Sequence, residues 1–136
     1  RAVDFARRYR FLPLPGDGHG RMQPIHYEDL AAAVATLVER GASGIVDAGG
    51  AEPITIRDAA SDILAALGLP LRLVRIPLPA ARLAARTIDG LTESRWAEKV
   101  DRALEDRVVD NGRLVALTGV RPRAFAQGVR DQVAAL

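Results

Sequence analysis

The chain has 136 residues, of which 49% are apolar and 26% charged, and its formal net charge is +2. That length holds one domain and little more, and the apolar share is enough for the packed core of a globular protein. Cysteine is absent, which excludes disulfides and thiolate chemistry, and no apolar run approaches the roughly 20 residues that span a bilayer.

Aromatic residues make up only 4%, so the expected core is built from Ala, Leu and Val. All but one of the 19 basic residues are arginine, spread along the whole chain among Asp and Glu. This pattern reads as solvated surface with a high-GC, bacterial coding bias. A nucleic-acid partner is not expected, because the charges do not cluster and aromatics do not interleave with them. With neither a secretory signal nor an apolar span, the expectation is a cytoplasmic protein without a membrane partner.

Residues 1–10 predict a helix, with Val3, Phe5, Ala6 and Tyr9 apolar. No N-cap precedes Arg1, so the chain starts as if inside a helix: a trimmed or frayed terminus on one reading, the loss of a larger upstream portion on the other. Phe11 to Pro15, stiffened by two prolines, leads into a loop at Gly16-Asp17-Gly18-His19-Gly20. Ile25 to Tyr27 predicts a short strand that Pro24 opens. Glu28 and Asp29 then stand at a helix start, where carboxylates accept from orphan backbone N–H groups. Leu30, Val34, Leu37 and Val38 fall at i, i+4, i+7 and i+8, which predicts a buried face, and Gly41 follows Arg40 as the stop.

Ile45 to Ala48 predicts another short strand, ended by Gly49-Gly50. Ile54-Thr55 is a brief extended piece, and Thr55 with Asp58 forms a capping-box-like pair. The helix it opens carries Ile56, Ala60, Ile63, Leu64 and Leu67 on one face and stops at Gly68 and Pro70. Leu71 to Ile76 is the clearest strand. Pro79 suits the first turn of a helix reaching about Ile88, which Gly90 breaks. Thr92 starts a helix whose Trp96, Val100, Ala103 and Leu104 share a face. Val108 and Val109 are extended, Asp110 or Asn111 caps a short helix through Leu117 closed by Gly119, and after Pro122 a final helix turns Phe125, Val129 and Val133 inward. Helices separating three or four short strands predict an α/β or α+β fold, and the absence of a linker predicts one domain over residues 1–136.

Little of this carries catalytic chemistry. His19 and His26, with Asp17 or Asp29, match no zinc spacing. His26 reads as a strand residue whose ring a neighbour satisfies. The Gly16–Gly20 loop precedes a strand, whereas a phosphate cradle follows one and opens a helix, so it reads as a turn. Gly49-Gly50 does follow the predicted strand but is separated from the next helix, a weak candidate for an anion site. Ser43, Ser61 and Ser94 lack a nucleophile-elbow context. Neither Tyr9 nor Tyr27 has a lysine four residues on, and Lys99 is the only lysine.

Ile25-His26-Tyr27-Glu28-Asp29-Leu30-Ala31 resembles the "I-H-V-x-D-x-A" segment in the C-terminal half of extended short-chain dehydrogenase/reductases, the family of NAD-dependent nucleotide-sugar epimerases and dehydratases. Val46-Asp47-Ala48-Gly49-Gly50 resembles its "Y-N-x-G-x-G" turn, and Ile54 to Ala59 its next helix start. Asp106 to Asp110 and Gly119 to Phe125 resemble the ending of atypical members, the branch that includes a complex I subunit. The family's glycine-rich nucleotide motif and its Tyr-x-x-x-Lys pair are absent, and Arg75-Ile76-Pro77-Leu78-Pro79 stands where relatives carry Arg-x-Gly-Asp. The resemblance therefore implies a C-terminal, substrate-side lobe of a Rossmann-type protein, without the dinucleotide-binding sheet. It implies substrate contacts from Arg21, Gln23 and His26 and no catalytic residue or metal site. NAD(P) is implied for a full-length parent but not held by this chain alone. The expected partners are a small-molecule substrate in that parent and either the missing N-terminal domain or a second copy of the chain. A non-catalytic ligand-binding or assembly module is the alternative reading, and a self-contained enzyme using Asp17, His26 and Asp29 is a third.

Overall fold

Two prolines decide how the first strand is used. Leu12–Pro15 forms β1, which pairs in parallel with β4, Leu73–Ile76, in the register Leu12 to Leu73 through Pro15 to Ile76. The Leu12 N–H donates to the Arg72 carbonyl at 3.0 Å and the Gly16 N–H to the Ile76 carbonyl at 2.9 Å. Donors alternate along a strand, so Pro13 and Pro15 take the positions whose missing N–H points away from β4. The sequence reading treated this stretch only as a lead-in to the loop; the prolines are compatible with a strand because, among the described residues, one of its edges stays unpaired. This is a computed structural model, which describes residues 2–91 and 105–136.

The chain packs into two compact units, each assembled from two distant stretches: Arg1–Arg21 with Thr55–Asp106, and Met22–Ile54 with Arg107–Leu136. The first unit contains α1 (Ala2–Tyr9), β1, α3 (Ile56–Ala66), β4 and α4 (Leu78–Leu91). The second contains α2 (Tyr27–Glu39), α5 (Gly112–Thr118) and α6 (Phe125–Ala134). The two-residue strands β2 (Arg21–Met22) and β3 (Ile54–Thr55), which pair with each other, mark where the chain passes between the units.

In the first unit, Ala6, Leu12, Ala60 and Leu64 form a buried cluster, with Phe5, Ile63, Leu67, Leu69 and Leu73 packed around it. The face expected of α3 is thus the face it buries, and small alanines let α1 and α3 approach closely. Thr55 caps α3: its Oγ1 accepts from the Asp58 N–H at 3.0 Å and its hydroxyl donates to the Asp58 carboxylate at 2.7 Å. The Gly16–Gly20 loop completes the cap. The N–H groups of Ile56 and Arg57 donate to the Gly20 and Gly18 carbonyls, so three of the four orphan donors of this helix end are already bonded. Gly16 and Gly18 both have positive φ, 65° and 74°, as the glycine spacing predicts. α4 runs through Gly90 to Leu91 where a break was expected; one glycine costs a helix only about 1 kcal/mol.

In the second unit, α2 packs on α5, and the Arg40 Nη1 at its end donates to the Leu117 carbonyl at 2.6 Å. The buried residues of α2 are Asp29 and Ala33. Of the face predicted to be buried, Leu37 is half-buried, but Leu30 is 39%, Val34 49% and Val38 75% exposed. Ile25 to Tyr27 is not a strand. Residue 26 has extended dihedrals, but Tyr27 already opens α2. Ile45 to Ala48 likewise forms no strand, and Ile45 is 85% exposed. β-branched composition makes a strand only where a neighbouring strand supplies the ladder, and none lies beside either stretch among the described residues. The helix expected after Thr92, with Trp96, Val100, Ala103 and Leu104, lies outside the described residues.

Candidate functional site

The stretch from Arg21 to Asp29 supplies the site residues that the sequence suggests except Asp17, whose Oδ1 accepts from the His19 N–H in the glycine loop, and the structure gives each a different environment. Arg21 lies in the first unit, bound to Asp106. Its backbone N–H donates to Oδ1 at 3.0 Å, while Nε and Nη2 donate to Oδ2 at 3.0 and 2.7 Å. The bidentate guanidinium holds the exposed Asp106 carboxyl below its ordinary pKa, and Asp106 in turn raises that of Arg21.

Gln23 lies in the second unit and holds three strands of chain together. Its Nε2 donates to the Gly50 carbonyl at 2.9 Å, its Oε1 accepts from the Val109 N–H at 3.0 Å, and its own carbonyl accepts from the Gly50 N–H at 3.0 Å. Asn111 clamps the same turn from the other side. Its Oδ1 accepts from the Gly49 N–H at 2.8 Å, and its Nδ2 donates to the carbonyls of Gly49 and Gly50 at 3.0 and 2.6 Å. Both N–H groups of the buried Gly49-Gly50 turn are therefore engaged, and it is not the anion site that its position after an apolar run suggested. Asn111 is the N-cap residue of α5 yet makes no capping bond; the Gly112 N–H goes to Asp110 Oδ1 at 2.8 Å instead. The sequence signals the Asp110-Asn111 pair as a cap but carries no sign of the partner 62 residues away. A cavity of about 280 Å³ lies beside this clamp, lined by Gln23, Met22, Pro24, Ala48, Val109 and Arg107.

His26 departs most from expectation. Its side chain is 8% exposed, and neither ring nitrogen has a hydrogen-bond partner. The expected neighbour is present but distant: Nδ1 stands 3.7 Å from Glu28 Oε2, beyond hydrogen-bond range. The ring stacks at 4.5 Å on Tyr27 and rests on Gly128, where a Cβ would come within 3.0 Å of His26 Cδ2.

Asp29, expected to cap α2, turns instead to Arg123. Burial pushes the Asp29 carboxyl up. The Arg123 backbone N–H and guanidinium, bonded at 2.8 to 3.2 Å, outweigh that and leave its pKa below the ordinary value. Arg123 also meets Glu28 at 3.1 Å and Asp131 at 2.8 Å. One guanidinium thus binds three carboxylates, which more than compensate its charge. The sequence reading had no role for Arg123, which lies within the Gly119 to Phe125 resemblance.

Two positions where a phosphate could have been cradled are already used by hydrogen bonds within the chain. The helix end nearest the glycine loop has its N–H groups bonded to loop carbonyls, and Gly49-Gly50 has its own bonded to Gln23 and Asn111. No group of three or more His, Asp or Glu side chains is arranged to hold a metal, and no helix is long and apolar enough to cross a membrane, among the described residues.

No family model matches the chain. Over 88 residues it is 34% identical to NADH dehydrogenase (ubiquinone) 1 alpha subcomplex subunit 9, mitochondrial, of Arabidopsis thaliana, a match covering 62% of this chain and 22% of that protein. Its fold is similar to that of the NADPH-dependent quinone oxidoreductase of Escherichia coli, with a TM-score of 0.69 at 17% identity over 96% of this chain and 48% of that one. It is also similar to a dTDP-glucose 4,6-dehydratase of Streptomyces venezuelae solved with NAD, with a TM-score of 0.68 at 21% identity over 98% and 36%. A UDP-glucuronic acid 4-epimerase of Bacillus cereus, solved with its substrate and NAD, gives 0.66 at 14% identity over 99% and 38%. The chain therefore spans less than half the length of each of these relatives. At such identities the structural likeness is one of fold. The chain has the fold of the C-terminal part of Rossmann-type epimerase/dehydratase proteins, as the resemblance of its sequence implies.

Proposed function

We propose that this chain is the substrate-side part of an NAD(P)-dependent epimerase/dehydratase-like protein of the atypical short-chain reductase type, inactive by itself. The nucleotide is held by a parallel β-sheet that these 136 residues do not supply. The observation that carries this reading is the open face of α2, followed by the unladdered stretch at 45–48. A helix followed by an extended apolar segment is half of a β-α-β crossover. A sheet edge that accepted residues 45–48 would pair their backbone and cover Leu30, Val34 and Val38 in one step. Without that sheet, the exposed face favours self-association.

In this reading the chain's own residues bind and orient a small-molecule substrate. Gln23 and Arg107 flank the cavity beside Gly50 and supply its polar groups. In the first unit Arg21 is kept in a fixed orientation by Asp106, and in the second the His26 ring is buried against Gly128. NAD(P) would supply the hydride chemistry of the whole protein, and no step of it runs through the described residues.

The test is calorimetric titration of the 136-residue chain with NADH and NADPH. No saturable heat is expected, and micromolar binding of either would overturn the proposal. A second reading, an assembly module without catalysis, is favoured by the 34% identity to a subunit named for a respiratory complex. It predicts that no small molecule binds near Gln23, whether or not a nucleotide-binding partner is added.

A further inference from the structure

Asn111 is the only asparagine in the chain, and a glycine follows it. Asparagine is a thermally labile residue, and most so before glycine, whose missing Cβ leaves the amide nitrogen uncrowded. The Gly112 nitrogen attacks the Asn111 side-chain carbonyl carbon. A C–N bond forms, a succinimide ring closes, and the amide proton leaves with the amino group as ammonia. Water then opens the ring. Attack at the side-chain carbonyl gives aspartate, and attack at the main-chain carbonyl gives an isoaspartyl link. The net change is one water consumed and one ammonia released, with no oxidant or metal.

The folded chain blocks this reaction in three ways. Ring closure requires the Gly112 nitrogen to eclipse Cβ about the Asn111 Cα–C bond. At ψ −2° it eclipses the Asn111 nitrogen instead, about a third of a turn away. Turning ψ to the reactive value would break the first turn of α5, where the Val115 N–H donates to the Asn111 carbonyl at 2.9 Å. The carboxamide is held as well, by the Gly49 N–H on Oδ1 and by the Gly49 and Gly50 carbonyls on Nδ2. The attacking group is also engaged, since the Gly112 N–H donates to Asp110 Oδ1 at 2.8 Å.

We propose that Asn111-Gly112 is a site of spontaneous deamidation, latent while the clamp is closed and reactive only when Asn111 releases the Gly49-Gly50 turn. The product does not restore the clamp. A carboxylate has no donor for the two glycine carbonyls, and the isoaspartyl form adds a carbon to the main chain where α5 begins. Deamidation is thus a one-way release of α5 from the turn. It concerns the second unit alone and does not rest on a nucleotide-holding partner.

The experiment incubates the unaltered chain in mildly alkaline buffer, with and without unfolding concentrations of guanidinium chloride, and follows its mass and isoaspartate content. In denaturant the mass should rise by the difference between OH and NH2, with isoaspartate at residue 111 in digests. In the folded chain the rise should be at least about tenfold slower, because three hydrogen bonds hold the carboxamide. Gly112→Ala, compared in denaturant where its folding is not at issue, should slow the reaction severalfold. The modified chain, separated by its additional negative charge and returned to buffer, should melt below the parent. No mass gain in denaturant, equal rates in the folded and unfolded chain, aspartate without isoaspartate, or a modified chain that melts with the parent would each overturn the inference.

Discussion

Asp29 and Arg123 stand 94 residues apart in sequence and are joined by both the backbone and the guanidinium of one residue: the Arg123 N–H and Nη2 each reach the carboxylate at 2.8 Å. The bond ties the first turn of α2 to the second residue before α6. Asp29 is 9% exposed, so its charge is unpaired and buried if the arginine is lost. Arg123→Ala, which leaves that charge unpaired, should lower the urea midpoint most, and Asp29→Asn, which leaves Arg123 with Glu28 and Asp131, should lower it less. Asp106→Asn, at the solvent-exposed pair with Arg21, should shift the midpoint far less.

The same pair sets a pH dependence. The Asp29 pKa is lower in the folded chain than in the unfolded one, so the unfolded state binds the proton more readily. The stabilisation from Asp29 is fully present above its unfolded pKa of about 3.9. It disappears as the pH falls through the lower folded value. Urea midpoints measured from pH 7 to pH 2 should drop below about pH 4, and the drop should be smaller in Asp29→Asn. Parallel curves for the two proteins would refute this assignment.

Asn111 offers a second test. Its carboxamide accepts one bond and donates two across the Gly49-Gly50 turn. Asn111→Asp keeps the acceptor and removes both donors, leaving two buried carbonyls facing a carboxylate. It should cost at least as much as Asn111→Ala, about 2 kcal/mol. Gly50→Ala should be worse than either, because its Cβ would collide with the Pro24 carbonyl oxygen. Gly41→Ala meets no neighbour within 4 Å and strains only a φ of 60°, at a cost of about 1 kcal/mol. The order Gly50→Ala, Asn111→Asp, Gly41→Ala in thermal melts checks the clamp.

What could be read in the sequence follows the range of the interaction. The Thr55 cap, the glycine stops at Gly41, Gly68 and Gly119, and the core face of α3 are local features, set within a few residues, and the structure has them. The clamp of Gln23 and Asn111 and the Asp29–Arg123 pair connect residues 27 to 94 positions apart. No periodicity encodes such contacts. The strands expected at Ile25–Tyr27 and Ile45–Ala48 failed for a related reason. A strand is a property of two segments, and composition describes only one. At His26 the type of residue was informative, but its unpaired burial depends on Gly128, 102 residues further on, which reads only as an unremarkable glycine within a helix.

The exposed face of α2 yields the last prediction. Leu30, Val34 and Val38 stand one turn apart, 39%, 49% and 75% exposed, and Tyr27 extends the line at 64%. Over the 11 steps from Tyr27 to Val38 the stripe is about 16 Å long, and stripes of this kind drive association when nothing covers them. Sedimentation at rising concentration should therefore show the chain assembling, with binding of a hydrophobic dye at low concentration. Val34→Lys with Val38→Lys should abolish both effects. Because the two side chains touch solvent and not the core, the thermal midpoint of the double variant should stay within a few degrees of the parent. If the residues were buried by packing within the second unit, the double variant would unfold instead, and a chain that remains monomeric with no dye binding would show that the face is already covered.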